Sequence, residues 1–455
     1  MNAAADGQDD EKSYSGKRAL GSAAWASMQQ FVTTGSAALT GILLARHLTV
    51  ADYGLYSYAT TLAVMGTMVM TAGLSGLAVK ALVNDRANEA RTMTALVLIR
   101  EIFAALGYVA FLFISLTSDD DVATAVTAIS LAVLFARGLD ASELWFQSRA
   151  ESKYTAPVRI GVVVAALAAR VVGMMLGLDL TGFIIIYVAE AVLTSVGLLW
   201  RYLADHRSPK FAKPDVETPR NLLGDSWLLL LGGIANQINT RADIPLLQAL
   251  SGATAVGLYS AAARLSEVFY FLPAVFMTAY FPRLLNIRKV DGAQSDRYRR
   301  EMQRAYDLAC WVGILVAVVV LLVGPWALTL LYGEAYESAG NVLQIHVIAL
   351  PFVFMGAVFS KWILAEGYLV ASLTRHLLGA VLNVGLNLIL IPHYGILGAA
   401  YATVVSYAVA QYLSCFATKN TRPAGVQMTL AIVWPLRVVG HAAVALRDRM
   451  KNGQA

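Results

Sequence analysis

GLYSYA at Gly54–Ala59 returns as GLYSAA at Gly257–Ala262, 203 positions further on. Both copies sit in long apolar stretches, with ILLARHLTVADY before the first and PLLQALSGATAV before the second. Ala150-Glu151 is answered by Ala365-Glu366, Arg159 by Arg375 and Gly182 by Gly398, at separations of 215 to 216. The order of the matches is kept, and the small drift is what loop insertions produce. The chain therefore reads as two similar halves. If each half crosses a membrane an even number of times, both keep one orientation, related by an axis along the membrane normal. A parallel repeat of this kind leaves a central cavity between two bundles.

Composition fixes the medium. Of 455 residues, 58% are hydrophobic and only 14% charged, against about 25% charged in soluble domains. A soluble enzyme needs a larger charged skin, and a disordered chain needs far fewer apolar residues. The reading is an all-α polytopic membrane protein. Twelve runs are long enough to span a bilayer, at about 20 residues each: 20–45, 54–79, 93–116, 122–147, 156–178, 180–203, 222–249, 255–282, 307–331, 338–364, 369–391 and 395–417. They lack the ten-residue alternation of a barrel strand. The expected organisation is a polar N-terminal tail (1–19) without a cleaved signal, a first six-helix bundle (20–203), a linker (204–220) with three prolines, a second bundle (221–417) and a tail (418–455). Residues 426–446 of that tail, apolar but holding Pro435, Arg437 and His441, are expected to lie in the membrane interface.

Placing the N-terminus in the cytoplasm puts 26 of the 35 Lys and Arg residues in or beside cytoplasmic segments, and Arg46 alone on the other side. This is the positive-inside pattern. The net charge of +5 thus reports topology and the anionic inner leaflet, not nucleic acid.

Ionisable residues inside apolar runs are costly, about 2.5–3.5 kcal/mol each on insertion scales if they face lipid. Here they are Arg100, Glu101, Arg137, Asp140, Glu143, Arg159, Arg170, Glu190, Asp225, Arg241, Asp243, Arg264, Glu267, His346, Lys361, Arg375 and His376. They must face one another or water. Arg137/Asp140 and Arg264/Glu267 stand at i,i+3 and are expected to pair locally. Arg159, Arg170, Lys361 and Arg375 have no acidic residue within four positions on their own helix. They need partners across a bundle, or an anionic substrate. A guanidinium offers five donors in a planar fork that suits phosphate oxygens. The candidate substrate-binding cations are therefore Arg170, Arg159, Arg375, Lys361 and Arg241, and the candidates for ion coupling are Glu190, Asp225 and Glu267. His346 reads as a hydrogen-bonded packing residue. Pro245, Pro273, Pro325 and Pro351 interrupt spans in the second half and are candidate hinges.

No GxxxxGK[ST], HExxH or paired CxxC occurs, so neither P-loop hydrolysis nor a metal centre is expected, and no cofactor is required. Cys310 and Cys415 fall in apolar runs and read as small buried residues.

LARHLTVADYGLYSYA (44–59), VGLYSAAARLSEVFYFLPAVFMTAYFPRL (256–284), AEGYL (365–369) and NLILIPHYGILGAAYATVVSY (387–407), in that order, resemble the polysaccharide-transporter family. These are the Wzx-type O-antigen and exopolysaccharide flippases of the multidrug/oligosaccharidyl-lipid/polysaccharide exporter superfamily. The resemblance covers most of residues 40–410 and contains no catalytic motif. It implies two six-helix bundles facing each other as a V in a bacterial inner membrane, and no enzymatic step. The implied substrate is an undecaprenyl-diphosphate-linked oligosaccharide carried to the periplasmic leaflet. The implied partners are the polymerase and chain-length proteins of a polysaccharide assembly system. The alternative is a cation-coupled drug antiporter of the same superfamily, which would favour acidic cavity residues; the spans hold eight basic and seven acidic ones. An integral-membrane polymerase would need larger external loops than these. An assembly scaffold would tolerate changes in the cavity.

Overall fold

A computed structural model describes residues 3–71, 73–116, 120–213 and 217–437; side chains of 3–20 and of several positions near the start of the second half lie outside the description. Among the described residues there is no strand. The first half comprises α1 (Ala3–His47), α2 (Val50–Thr71), α3 (Ser75–Asn84), α4 (Glu89–Leu116), α5 (Asp121–Leu131), α6 (Val133–Gly138), α7 (Ala141–Gln147), α8 (Ala156–Met175) and α9 (Leu180–Ala204). The second comprises α10 (Glu217–Arg241), α11 (Asp243–Glu267), α12 (Phe271–Asp291), α13 (Asp296–Tyr332), α14 (Ala339–His346), α15 (Leu350–Glu366), α16 (Leu369–Tyr394), α17 (Ile396–Gln411) and α18 (Arg422–Ile432).

Ten helical runs among the described residues are long and apolar enough to cross a membrane. The longest, Leu230–Asp291, has 62 residues and carries two of the expected runs. A straight helix of that length would reach about 93 Å, roughly three hydrocarbon thicknesses. It reverses instead. Gly252 has φ 80° and ψ 178°, outside helical space. Arg241 and Glu267, 26 residues apart, meet at 3.1 Å, where a straight helix would hold them about 39 Å apart. Tyr259 likewise donates a hydrogen bond to Asp243 across the hairpin. The outer surface is rich in exposed large apolar side chains, among them Phe113, Leu322, Val323 and Trp326. A water-soluble surface would not tolerate such a girdle; hydrocarbon does.

The two halves meet where the repeated motif recurs. A β-carbon at Gly54 would collide with the carbonyl of Ala253, and one at Gly257 with the carbonyl of Val50. Val50 and Ala253 are themselves 203 positions apart, so the contact between α2 and α11 is reciprocal. Tyr53, fully buried, packs edge-on against Tyr332 and Tyr336 of the other half, with ring centroids 6.5 and 6.0 Å away. Arg46, closing α1, donates from Nε to the Leu331 carbonyl at 2.7 Å and from Nη2 to the Leu330 carbonyl. All these contacts lie at one end of the molecule, the turn end. The opposite end carries the longer segments 85–88, 148–155, 205–213 and 292–295, and is the linker end.

The C-terminal region docks rather than standing free. Trp311 Nε1 of α13 donates to the Ala431 carbonyl of α18 at 2.9 Å, and Arg437 meets Asp307 at 3.1 Å. The remainder of the expected interfacial helix, 438–446, lies outside the described residues.

Candidate functional site: a cationic cavity between the halves

Beyond Gly54, residues Tyr56, Thr60, Thr61 and Val64 of α2 line a cavity of about 670 Å³. α1 contributes a polar stripe, Gln30, Thr33, Thr34, Ser36 and Thr40. Its spacing of three to four residues puts these side chains on one helix face. Five arginines line the space, Arg137, Arg159, Arg170, Arg241 and Arg264, against three carboxylates, Asp140, Glu190 and Glu267. The first half supplies three of the arginines and the second half two.

The charges pair across helices. Arg159 of α8 donates from Nη2 to Asp140 Oδ2 at 3.0 Å and to Glu143 Oε2 at 2.5 Å. Ser195 Oγ adds a hydrogen bond to Asp140 Oδ1 at 2.6 Å. Arg170, 3% exposed, donates to Glu190 of α9 at 2.5 Å. Arg241 meets Glu267 at 3.1 Å. These contacts use up the carboxylates that the i,i+3 spacing had assigned to Arg137 and Arg264. The local pairs are not formed. For Arg137 the reason is a break in the helix: α6 ends at Gly138, and Asp140 lies in the turn before α7. For Arg264, Glu267 faces Arg241 instead. Among the described residues neither Arg137 nor Arg264 has a carboxylate within 4.0 Å. They are the uncompensated cations of the cavity, one from each half. Arg264 reaches towards α1 because Gly41 leaves room: a β-carbon there would stand 3.2 Å from Arg264 Nη1. Its guanidinium also lies 5.7 Å from the ring centre of Tyr53.

Of the residues singled out from sequence, Arg159, Arg170, Arg241, Glu190 and Glu267 are gathered in this cavity. Lys361 is exposed, 5.9 Å from the Phe281 ring, and does not line it. Arg375 is buried elsewhere, on α16 beside a second pocket. The side chain of Asp225 lies outside the described residues. His346 is buried and shares a 2.7 Å hydrogen bond with Ser266, as a packing residue would. The free arginines were missed because spacing along one helix says nothing of competing acids on the next. The stripe on α1 was missed too; the signal that could have found it is the recurrence of Gln30, Thr33 or Thr34, Ser36 and Thr40 at helical spacing within an apolar run.

A helical membrane protein with two repeat-related halves and a polar, net-positive cavity between them is a transporter-like architecture. The family profile described as "Polysaccharide biosynthesis protein" matches residues 19–288, and the chain belongs to that family. It is 29% identical over 163 residues to a protein named "Probable flippase AglR" from Haloferax volcanii, covering 35% of this chain and 33% of that one. It is 25% identical over 175 residues to a "Putative O-antigen transporter" of Shigella flexneri, covering 38% and 40%. These matches thus span less than half of either curated relative. The fold resembles that of the lipid II flippase MurJ in an inward closed conformation, with TM-score 0.71, 14% identity, and 90% and 92% of the two chains covered. It also resembles an inward-facing multidrug resistance transporter of the MATE family, with TM-score 0.58, 16% identity, and 90% and 95% covered.

Proposed function

We propose that this protein is a flippase that moves an undecaprenyl-diphosphate-linked oligosaccharide, the repeat unit of a polysaccharide, from the cytoplasmic to the periplasmic leaflet of a bacterial inner membrane. The observation that carries this reading is the cavity's charge: Arg137 and Arg264 stand there without carboxylate partners. A diphosphate presents oxygens that two guanidinium forks can share. Hydroxyl and amide groups on α1 suit a sugar, and the lipid tail stays in hydrocarbon while the head passes. The loop charges put the linker end in the cytoplasm, so the contacts around Gly54 and Gly257 close the periplasmic side. Alternating access then requires those contacts to part and the linker end to close. An inside-negative potential favours outward movement of the anionic head, by about 2.3 kcal/mol per charge per 100 mV. Polymerase and chain-length proteins are the partners that would use the product. A net-positive lining disfavours a cationic drug as cargo.

The test uses Arg264→Gln and Arg137→Gln, which break no ion pair. Surface glycan should fall at least tenfold in the double variant at unchanged protein level. Normal glycan at normal protein level would overturn the reading, as would transport of a fluorescent cation, but not of lipid-linked glycan, in liposomes.

A further inference from the structure

We propose that the second half holds a separate anion site, centred on Arg375, that takes a phosphate group. The two repeat-related arginines, 216 positions apart, have been given opposite surroundings. Arg159 faces two carboxylates, Asp140 and Glu143. Arg375 faces α15 at Gly356, Phe359 and Ser360, where no carboxylate stands. Its guanidinium lies 5.1 Å from the Phe359 ring centre. Its Nη2 donates to Ser360 Oγ and its Nη1 to Gln411 Oε1, each at 2.8 Å. Gln411 in turn occupies the room that Gly356 leaves. All these partners are neutral. Arg375 is only 4% exposed, cannot lose its proton, and has no carboxylate within 4.0 Å among the described residues. A buried charge left so is expensive unless a counter-charge arrives.

The missing groups are acceptors. Arg375 Nε has no hydrogen-bond partner. Arg375 Nη2 stands 3.2 Å from His376 Nε2, and because a guanidinium only donates, that ring nitrogen accepts. The imidazole proton is then on Nδ1, which also lacks a partner. Two unfilled N–H donors and one uncompensated positive charge call for an anion, not a cation or an apolar ligand. Space exists beside them: Arg375 and His376 line a pocket of about 410 Å³ with Ser360, Ser372, Asn236 and Gly232. Gly232 is half-buried, and a β-carbon there would meet nothing closer than Leu373 at 3.9 Å. None of these residues lines the central cavity. The ligand chemistry is a phosphate bearing net negative charge, whether free or as a lipid headgroup.

The experiment is a thermal-unfolding series on the delipidated full chain in neutral detergent. One arm adds inorganic phosphate, the other phosphatidylglycerol, with phosphatidylcholine as the zwitterionic control. A midpoint raised by several degrees in the first arm identifies a free anion; a rise with phosphatidylglycerol alone identifies a lipid headgroup. The series is read in an Arg137→Gln, Arg264→Gln background, which removes the central cavity's own bare cations; the response should be present there, and Arg375→Gln should abolish it. Gly232→Leu fills the pocket without touching the charge, so it reads the site even where Arg375→Gln folds poorly, and it too should abolish the response. No response in either arm, or one that persists in Gly232→Leu, overturns the proposal.

Discussion

Gly54 and Gly257 are both required for the same reason, and each by the other's half. Neither needs an unusual φ; what each lacks is room, because a carbonyl of the opposite helix occupies the place of a side chain. Overpacking a contact of this kind typically costs about 1–3 kcal/mol. Gly54→Ala and Gly257→Ala are therefore expected to lower the thermal midpoint in detergent, and by similar amounts. Gly161, on α8, has nothing within 4 Å of a β-carbon, so Gly161→Ala should leave the midpoint unchanged or raise it. Equal tolerance at all three positions would show that the backbones do not approach closely in the protein. Sequence made these glycines visible as a repeat but gave no sign that the two copies touch. The charges were legible in the same partial way. That Arg170 and Glu190 had to find partners followed from their burial in apolar runs. That Asp140 and Glu267 would serve Arg159 and Arg241, leaving Arg137 and Arg264 bare, depended on which helices become neighbours.

Elements at the linker end are tied by charge and aromatic packing together. Glu89 at the start of α4, 4% exposed, receives both oxygens' worth of hydrogen bonds from Arg149 Nη2 at 2.8 Å, plus the Trp145 indole N–H at 3.3 Å. The Arg149 guanidinium lies 4.0 Å from the Trp145 ring centre. Arg149→Ala strands a buried carboxylate, a loss of about 3–5 kcal/mol. Glu89→Gln with Arg149→Met should recover much of it, as read from thermal midpoints; a single variant as stable as the double would sink this account. Beyond α9, Arg207 bridges Asp205 and Glu151 at 2.8 and 2.9 Å. It holds the Asp205 carboxyl well below the usual carboxylate range. A lowered carboxylate pKa stabilises above its unfolded value of about 3.9 and fades only as pH falls below it. Trypsin cleavage after Lys210, normalised to the rate on an unstructured peptide at the same pH, should therefore be constant from pH 6 to 8 in the parent and faster in Arg207→Ala. Equal cleavage rates would show that the bridge does not hold the segment. The prolines divide at this scale as well. Pro351 lies in the first turn of α15, directly after the 3-10 turn Val347–Ala349 that interrupts the run Ala339–Glu366. Pro325 lies within α13.

At the scale of the molecule, the halves touch tightly at the turn end and part around the cavity. Joining Tyr53→Cys to Tyr336→Cys, whose parent rings are 6.0 Å apart, with a short bifunctional thiol reagent should arrest transport, and cleaving the link should restore it. Cys310 and Cys415 are free and as buried as Tyr53 and Tyr336, so the pair is placed in a Cys310→Ala, Cys415→Ala background and linked during turnover. Transport at the parent rate by fully linked protein would show that the turn end need not open. Helix content and inward-facing charge were readable beforehand, because hydrocarbon forces both; the repeat was readable from the recurring motif alone. Which end is shut was not, since both states share one sequence. The seam has one more consequence. Its central contact is reciprocal, Gly54 against Ala253 and Gly257 against Val50, so the surface around Gly54 carries both halves of that contact. A polypeptide ending before the linker would present that surface without its counterpart, and two such fragments would be driven to pair about a twofold axis, Val50 of each against Gly54 of the other.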